Sequence, residues 1–225
     1  MEKNVNMNYK EDWFMKYYVR TTLERKLDET YSQIEYELLI DKEHKPVDSF
    51  IKQLEIISEE DSVLLEDDLI LCKNFKERIE SVIEQFSDKI INFFTFPRAY
   101  FQTREFKKFL WNQCTYYPKN ISKQIALVMK KIKKQKDEIG ESLQYDALEN
   151  LALEELGMTH IQYRPCIIQH LDGKSLIGNN DSGRMTIYFV DYLNELDITY
   201  EEAQKQENRL KLKYKILKTK KERGI

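Results

Sequence analysis

Residues 61–75 read DSVLLEDDLILCKNF, and the apolar run Val63-Leu64-Leu65 leads straight into Glu66-Asp67-Asp68. Adjacent carboxylates repel one another, and taking them out of water is unfavourable unless positive charge sits among them. A divalent cation carrying a phosphorylated ligand meets that need, because Mg²⁺ or Mn²⁺ bridges phosphate oxygens to one or two carboxylates. The same acids also read as a solvated turn after a strand, with Asp67 and Asp68 near a helix N-terminus. His170 follows the apolar Cys166-Ile167-Ile168 and Gln169, and a neutral imidazole there is either a Mn²⁺ ligand or a core histidine. His44 and His160 lack such surroundings. Residues 171–184, LDGKSLIGNNDSGR, hold three of the six glycines. They read as a flap in which Lys174, Ser175 and Arg184 can neutralise a departing diphosphate, or as a plain solvated loop.

These groups need a frame. A strand is expected at 15–19, a polar helix at 21–33 and a second strand at 35–40, ending at Asp41. In VDSFIKQLEII, Val47, Phe50, Ile51, Leu54 and Ile57 recur at helical spacing. SVLL then reads as a buried strand. Residues 74–86 repeat the helical stripe with Phe75, Ile79, Val82, Ile83 and Phe86, and 89–94 reads as a strand. Further helices are expected at 121–135 and at 146–157, the latter stopped by Gly157. Residues 161–170 look extended, with a break or edge at Pro165. Trp111, Tyr116 and Tyr117 are aromatics that either stack on a ligand or fill the core. Alternating strand and helix favour an α/β domain with a largely parallel sheet flanked by helices, whose ligands sit at the carboxyl ends of the strands. A domain spanning 1–195 and a basic helical extension over 196–225 are expected. Thr199 and Glu202 can form a capping box there, and residues 209–223 carry eight Lys or Arg against one Glu.

Composition narrows the class. The chain has 225 residues, of which 41% are hydrophobic and 33% charged, a soluble globular balance. At this length a domain buries about 70% of the surface its unfolded chain exposes, and it needs no covalent staples. Cys72, Cys114 and Cys166 are widely spaced, with no CxxC pair, so neither a zinc site nor a disulfide framework is expected. The polar N-terminal stretch and the absence of any long apolar run point to a cytoplasmic protein.

The succession VRTTLERKLDET, YELLID, SVLLEDDLILCKNF, FFTFPR, CTYYPKNISK, YDALENLALEELG and PCIIQHLDGKSLIG resembles small glycosyltransferases of the GT-A fold, over about residues 13–190. LLEDD resembles the acidic DxD motif of that fold. PCIIQHLDGKSL is similar to the VQHxGxxSSL stretch of N-acetylglucosaminyltransferases that branch N-glycans, departing from it at Asp172-Gly173. The resemblance implies a nucleotide-sugar donor, a UDP-sugar in first place, and Mn²⁺ or Mg²⁺. It implies Asp68 as direct metal ligand with help from Asp67, His170 reaching the metal, and Glu66 facing the ribose or orienting its neighbours. Arg20, Thr21 and Asp41 would meet the nucleotide, and Asp146 would be the catalytic base of an inverting transfer, with Glu149 as runner-up. Arg20 can equally be a structural salt bridge, and Asp146 a helix N-cap.

For the acceptor, the basic tail suits DNA phosphates, and a hydroxymethylated base in phage DNA is one candidate, placing the protein in a host cytoplasm. A lipid-linked glycan or a protein is the other kind. The tail also reads as a solvated helix end. The rival functions are a metal-dependent nuclease or phosphohydrolase using the same carboxylates, and a catalytically inactive binding module.

Overall fold

The computed structural model describes residues 15–94, 104–106, 112–171, 186 and 188–205. The expected flap with Lys174 and Arg184, Trp111 and the basic tail lie outside the described residues.

The strands are β1 (Lys16–Thr21), β2 (Tyr36–Ile40), β3 (Ser62–Glu66), β4 (Leu69–Leu71), β5 (Ile90–Asn92), β6 (Arg104–Phe106), β7 (Cys114–Tyr117), β8 (His160–Gln162) and β9 (Ile168–His170). The helices are α1 (Pro46–Ile56), α2 (Phe75–Gln85), α3 (Ile121–Glu138), α4 (Tyr145–Leu156), α5 (Val190–Glu195) and α6 (Tyr200–Lys205). A seven-stranded sheet has the order β2-β1-β3-β7-β5-β8-β6, and β4 pairs with β9 in a small second sheet. In the large sheet β1, β2, β3, β5 and β8 point one way, while β7 and β6 run against them. The sheet is therefore mostly parallel, as expected, with two reversed strands.

Both faces are covered, as a sheet of this kind requires. Side chains alternate across the pleat. Tyr17, Val19, Val63 and Leu65 face α2 through Phe75, Ile79 and Ile83. Tyr18 and Leu64 face the other way, onto Phe50, Ile51 and Leu54 of α1, Ile125 and Met129 of α3, and Leu148 and Ala152 of α4. This explains the unbroken apolar run Val63-Leu64-Leu65: it lies in a strand with core on both sides. Pro46 occupies the first turn of α1, where its missing N–H is harmless. The Phe75 N–H at the start of α2 donates to Gln33 Oε1 at 3.1 Å. Gly157 ends α4 at φ 64°, and the next N–H, of Met158, reaches back to Leu153 O at 2.9 Å.

The structure departs from the expected elements chiefly at 21–33 and in the additional strands β4, β6 and β7 and helix α5. No helix forms over 21–33. Thr21 continues β1, residues 22–28 are irregular, and only a 3-10 turn follows at Glu29–Gln33, capped by Asp28 accepting from Thr30 N. Local side-chain hydrogen bonds have outcompeted the helix: Thr21 Oγ1 accepts from Leu23 N at 2.8 Å, and Leu23 adopts φ 66°. The 161–170 segment breaks around Pro165, as expected, into β8 of the large sheet and β9 of the small one, and Pro165 follows a cis peptide bond. Tyr116 and Tyr117 belong to the unexpected β7 and are fully buried, so they fill the core. The Thr199–Glu202 capping box is present: Glu202 N donates to Thr199 Oγ1, and Thr199 N to Glu202 Oε2.

Candidate metal centre

β3 delivers Glu66 at its carboxyl end, and the chain turns at Asp67-Asp68 into β4. β4 pairs antiparallel with β9 so that Leu69 lies opposite His170, and Leu171 N donates to Asp68 O at 2.7 Å. This register carries the imidazole to the acidic turn from more than a hundred residues away in sequence. One ligand atom from each of Glu66, Asp68 and His170 lies within 4.8 Å of the other two. His170 Nε2 stands 3.2 Å from Asp68 Oδ2.

Two observations mark this group as underfilled. Asp68 and His170 are 7% and 4% exposed, yet Asp68 Oδ1 and His170 Nδ1 are buried without a hydrogen-bond partner. Buried polar atoms normally find partners, and two carboxylates and an imidazole with such atoms left over form a donor set suited to a divalent cation. The residues present therefore fit Mn²⁺ or Mg²⁺.

The surrounding side chains hold the cluster. Arg20 forms an ion pair with Glu66 and donates to Asn112 O and Tyr145 Oη, both at 2.9 Å. Its guanidinium lies 4.5 Å from the Tyr145 ring centre and 5.1 Å from that of Phe50. Tyr145 Oη in turn donates to Glu66 Oε1 at 3.0 Å, and the Tyr31 hydroxyl donates to Glu66 O. Asp67 points elsewhere: it accepts from Thr21 Oγ1 at 2.6 Å and pairs with Arg25 at 3.4 Å. Arg25 also pairs with Asp68.

The electrostatics differ along the triplet. Burial raises the Glu66 carboxyl above its ordinary range, although Arg20 opposes the shift. Burial also works against ionised Asp68, but the neighbouring His170 and then Arg25 outweigh it, and that carboxyl stays below its ordinary range. Burial disfavours the Arg20 cation, yet Tyr145 and Glu66 keep its pKa raised.

No family model and no curated protein matches this chain.

Of the site residues expected from sequence, Arg20, Thr21, Glu66, Asp67, Asp68 and His170 converge on one locus. Within it Glu66, expected to face the ribose or to orient its neighbours, joins Asp68 and His170, while Asp67 is bound by Thr21 and Arg25. Asp146 is not the N-cap of α4, since Gln144 holds that place. Asp146 lies in the first turn, where it accepts from Ala147 N at 2.8 Å. Asp41 Oδ1 accepts from Glu43 N and Lys45 N, closing the turn after β2. Sequence reasoning missed Arg25, Tyr145, Tyr31 and Asn112. Arg25 was hidden by the expected helix at 21–33. Tyr145 had a readable cue, since it adjoins Asp146 at the start of a strong helix.

A groove between α1 and α3 is lined by Asp48, Ile51, Glu55, Lys130 and Lys133. Its charges are paired across it, Lys130 with Glu55 and Lys133 with Asp48. It offers no unpaired buried polar group comparable with those of the acidic turn.

Proposed function

We propose that the protein is a metal-dependent glycosyltransferase that moves a sugar from a nucleotide-sugar donor, a UDP-sugar in first place, to a hydroxyl acceptor. The observation that carries this reading is the buried Glu66–Asp68–His170 group, with its unpartnered atoms, at the carboxyl end of a strand in a mostly parallel sheet. Ligands bind at that end in open α/β sheets. The GT-A resemblance supplies the reaction class, and the mixed sheet with a small β4–β9 pair beside it is compatible with that fold.

In this reading Glu66, Asp68 and His170 hold Mn²⁺ or Mg²⁺. When bound, the cation supplies Lewis-acid stabilisation of charge on the departing diphosphate. Arg20 and Tyr145 orient Glu66 and oppose the effect of burial on its carboxylate. Thr21 fixes Asp67, and Arg25 stands ready beside both aspartates. Asp146 takes the proton from the acceptor hydroxyl, as an inverting transfer needs. What supports this choice is that Asp146 adjoins Tyr145, whose hydroxyl touches Glu66. The acceptor we favour is a hydroxymethylated base in DNA, engaged through the basic tail, ahead of a glycan or a protein.

The test is a thermal-shift screen of UDP- and GDP-sugars with and without Mn²⁺, followed by assay of nucleoside diphosphate release. Stabilisation that requires both Mn²⁺ and one nucleotide, and is lost in Asp68→Asn, is expected. DNA cleavage without any sugar donor would replace this reading with a nuclease. Salt-independent DNA binding, or binding unchanged on removing residues 209–225, would remove the DNA acceptor and leave the transferase.

A further inference from the structure

The large sheet ends on β2, whose outer edge is unpaired among the described residues. β1 and β2 lie side by side with Tyr17 opposite Tyr36, Val19 opposite Leu38 and Thr21 opposite Ile40. Tyr36, Leu38 and Ile40 therefore share the face on which α2 covers Tyr17 and Val19. That cover stops short of β2. Tyr36, Leu38 and Ile40 are 37%, 43% and 38% exposed, and Tyr36 meets the ring of Tyr31 edge-on at 6.0 Å. The charged residue of the strand, Glu37, lies on the opposite face, where Lys16 pairs with it at 3.7 Å. It does not guard the apolar side. A sheet edge with a row of exposed apolar side chains and no proline is a template for another extended chain.

The chain carries a segment of matching pattern. Residues 4–10 read NVNMNYK, with Val5, Met7 and Tyr9 alternating with asparagine. A period of two is that of a strand with one apolar face. Residues 1–14 precede the described residues and lead straight into β1, the neighbour of β2. We infer that residues 5–9 dock on the outer edge of β2 as an antiparallel strand and cover Tyr36, Leu38 and Ile40. The pattern sets the register. Tyr9 lies opposite Tyr36, Met7 opposite Leu38 and Val5 opposite Ile40, while Asn6 and Asn8 take the face of Leu39 and Glu37. A slip of one residue turns the asparagines onto the apolar patch. The direction follows from connectivity, since the segment must end at the amino end of β2, where the parallel β1 begins. The reach is sufficient. Strands lie about 4.8 Å apart, so passing β2 to enter β1 spans roughly 10 Å. Residues 10–15 extend to about 20 Å. This inference is independent of the function proposed above.

The experiment is amide hydrogen exchange of the full-length protein, read by mass spectrometry at several protein concentrations. In the unaltered chain, peptides covering 5–9 and 36–40 should both be protected, equally at every concentration. Met7→Asp puts a carboxylate against the apolar patch. It should speed exchange in both peptides by about tenfold and leave the peptide covering Val63–Leu65 unchanged. Leu38→Asp attacks the same contact from β2 and should release 5–9 in the same way, and it serves if Met7→Asp does not fold. Asn4→Asp, outside the paired residues, should change neither peptide. Exchange of 5–9 at the rate of an unstructured chain overturns the inference, as does protection of 36–40 that ignores Met7→Asp. Protection of 36–40 that grows with concentration puts a second copy on this edge instead. Protection lost on removing residues 209–225 puts the C-terminal segment there.

Discussion

The chain buries carboxylates in two adjoining places and treats them in opposite ways. At Glu149, which is 0% exposed, both oxygens are satisfied: Asn112 Nδ2 donates to Oε2 at 2.5 Å and the Tyr117 hydroxyl donates to Oε1 at 2.7 Å. Asn112 is itself completed by Thr115, whose hydroxyl donates to Asn112 Oδ1 at 2.6 Å. At the acidic turn, Asp68 Oδ1 and His170 Nδ1 are left without partners. Arg20 connects the two places, pairing with Glu66 on one side and donating to Asn112 O on the other. A closed network that braces α4 against β7 lies next to an open one that presents ligand atoms. Complete satisfaction marks a structural knot, and its absence in a buried, oriented group marks a candidate site.

That contrast predicts opposite phenotypes. The largest effect belongs to the closed network. Glu149→Ala takes the acceptor from the Tyr117 hydroxyl, leaves Asn112 Nδ2 only the Tyr117 oxygen, and opens a cavity, and it should lower unfolding free energy by about 4 kcal/mol in urea denaturation. A loss below about 1 kcal/mol, inside the range of ordinary surface changes, would show that the network braces nothing.

Glu149 also carries a signature in pH. Burial pushes its carboxyl from 4.5 up to about 7, against the opposing hydrogen bonds of Tyr117 and Asn112. A raised folded-state pKa means stability that is fully present below 4.5 and lost as pH rises through 7. Relative to Glu149→Gln, the unaltered chain should therefore lose about 3 kcal/mol of stability between pH 4.5 and pH 8. His160 works in the other direction. Burial lowers its pKa from 6.5 to about 4, so its contribution is present above 6.5 and is lost as pH falls through 4. The two slopes oppose each other across weakly acid pH, and removing Glu149 should expose the histidine limb. Parallel stability profiles for the two proteins would mean that Glu149 titrates as an ordinary carboxyl.

At the open network the expectation is reversed. Asp68→Asn should weaken Mn²⁺ binding by about a hundredfold, since even residues that only orient metal ligands cost ten- to a hundredfold. Its thermal midpoint should fall less than that of Glu149→Ala, because the change keeps the side chain's shape and weakens only the pairings of Asp68 Oδ2 with Arg25 and His170. A large drop in midpoint with little change in Mn²⁺ affinity would make the acidic turn a second brace.

How much of this was legible beforehand follows from which forces are local. The spacing of Phe50, Ile51 and Leu54, and of Phe75, Ile79 and Ile83, records an amphipathic face in sequence, and both helices form within a residue of the expected ends. Val63–Leu65 read as doubly buried for the same reason. The acidic triplet and His170 were visible as chemistry, but their meeting depends on β4–β9 pairing, and a three-residue strand such as Leu69–Leu71 leaves no periodic trace. The reversal of β7 was equally hidden, since CTYY carries no sign of its direction. The failed helix at 21–33 is the most instructive miss. The local Thr21–Leu23 hydrogen bond works against it, and tertiary contacts act the same way: Thr21 and Arg25 are drawn to Asp67 and Asp68, and Tyr31 to the backbone of Glu66. The departure from local propensity falls at the candidate site, where local and global demands most often conflict.

The smallest expected effect tests whether the boundary between the networks matters for binding. Tyr145→Phe keeps the ring that stacks on Arg20 and the contact with Phe50, whose ring centre lies 5.0 Å away. It removes only the hydroxyl, which accepts from Arg20 and donates to Glu66 Oε1. Losing one half-buried hydrogen-bonding group of this kind should change stability by about 1 kcal/mol. If Tyr145 orients Glu66 as a ligand, Mn²⁺ affinity should also fall by about tenfold, the lower end for groups that position metal ligands. If Glu66 serves only to neutralise Arg20, the guanidinium keeps its ion pair and Mn²⁺ affinity stays unchanged. Calorimetric Mn²⁺ titration of this one variant, read beside its urea midpoint, decides whether Glu66 belongs to the open network or the closed one.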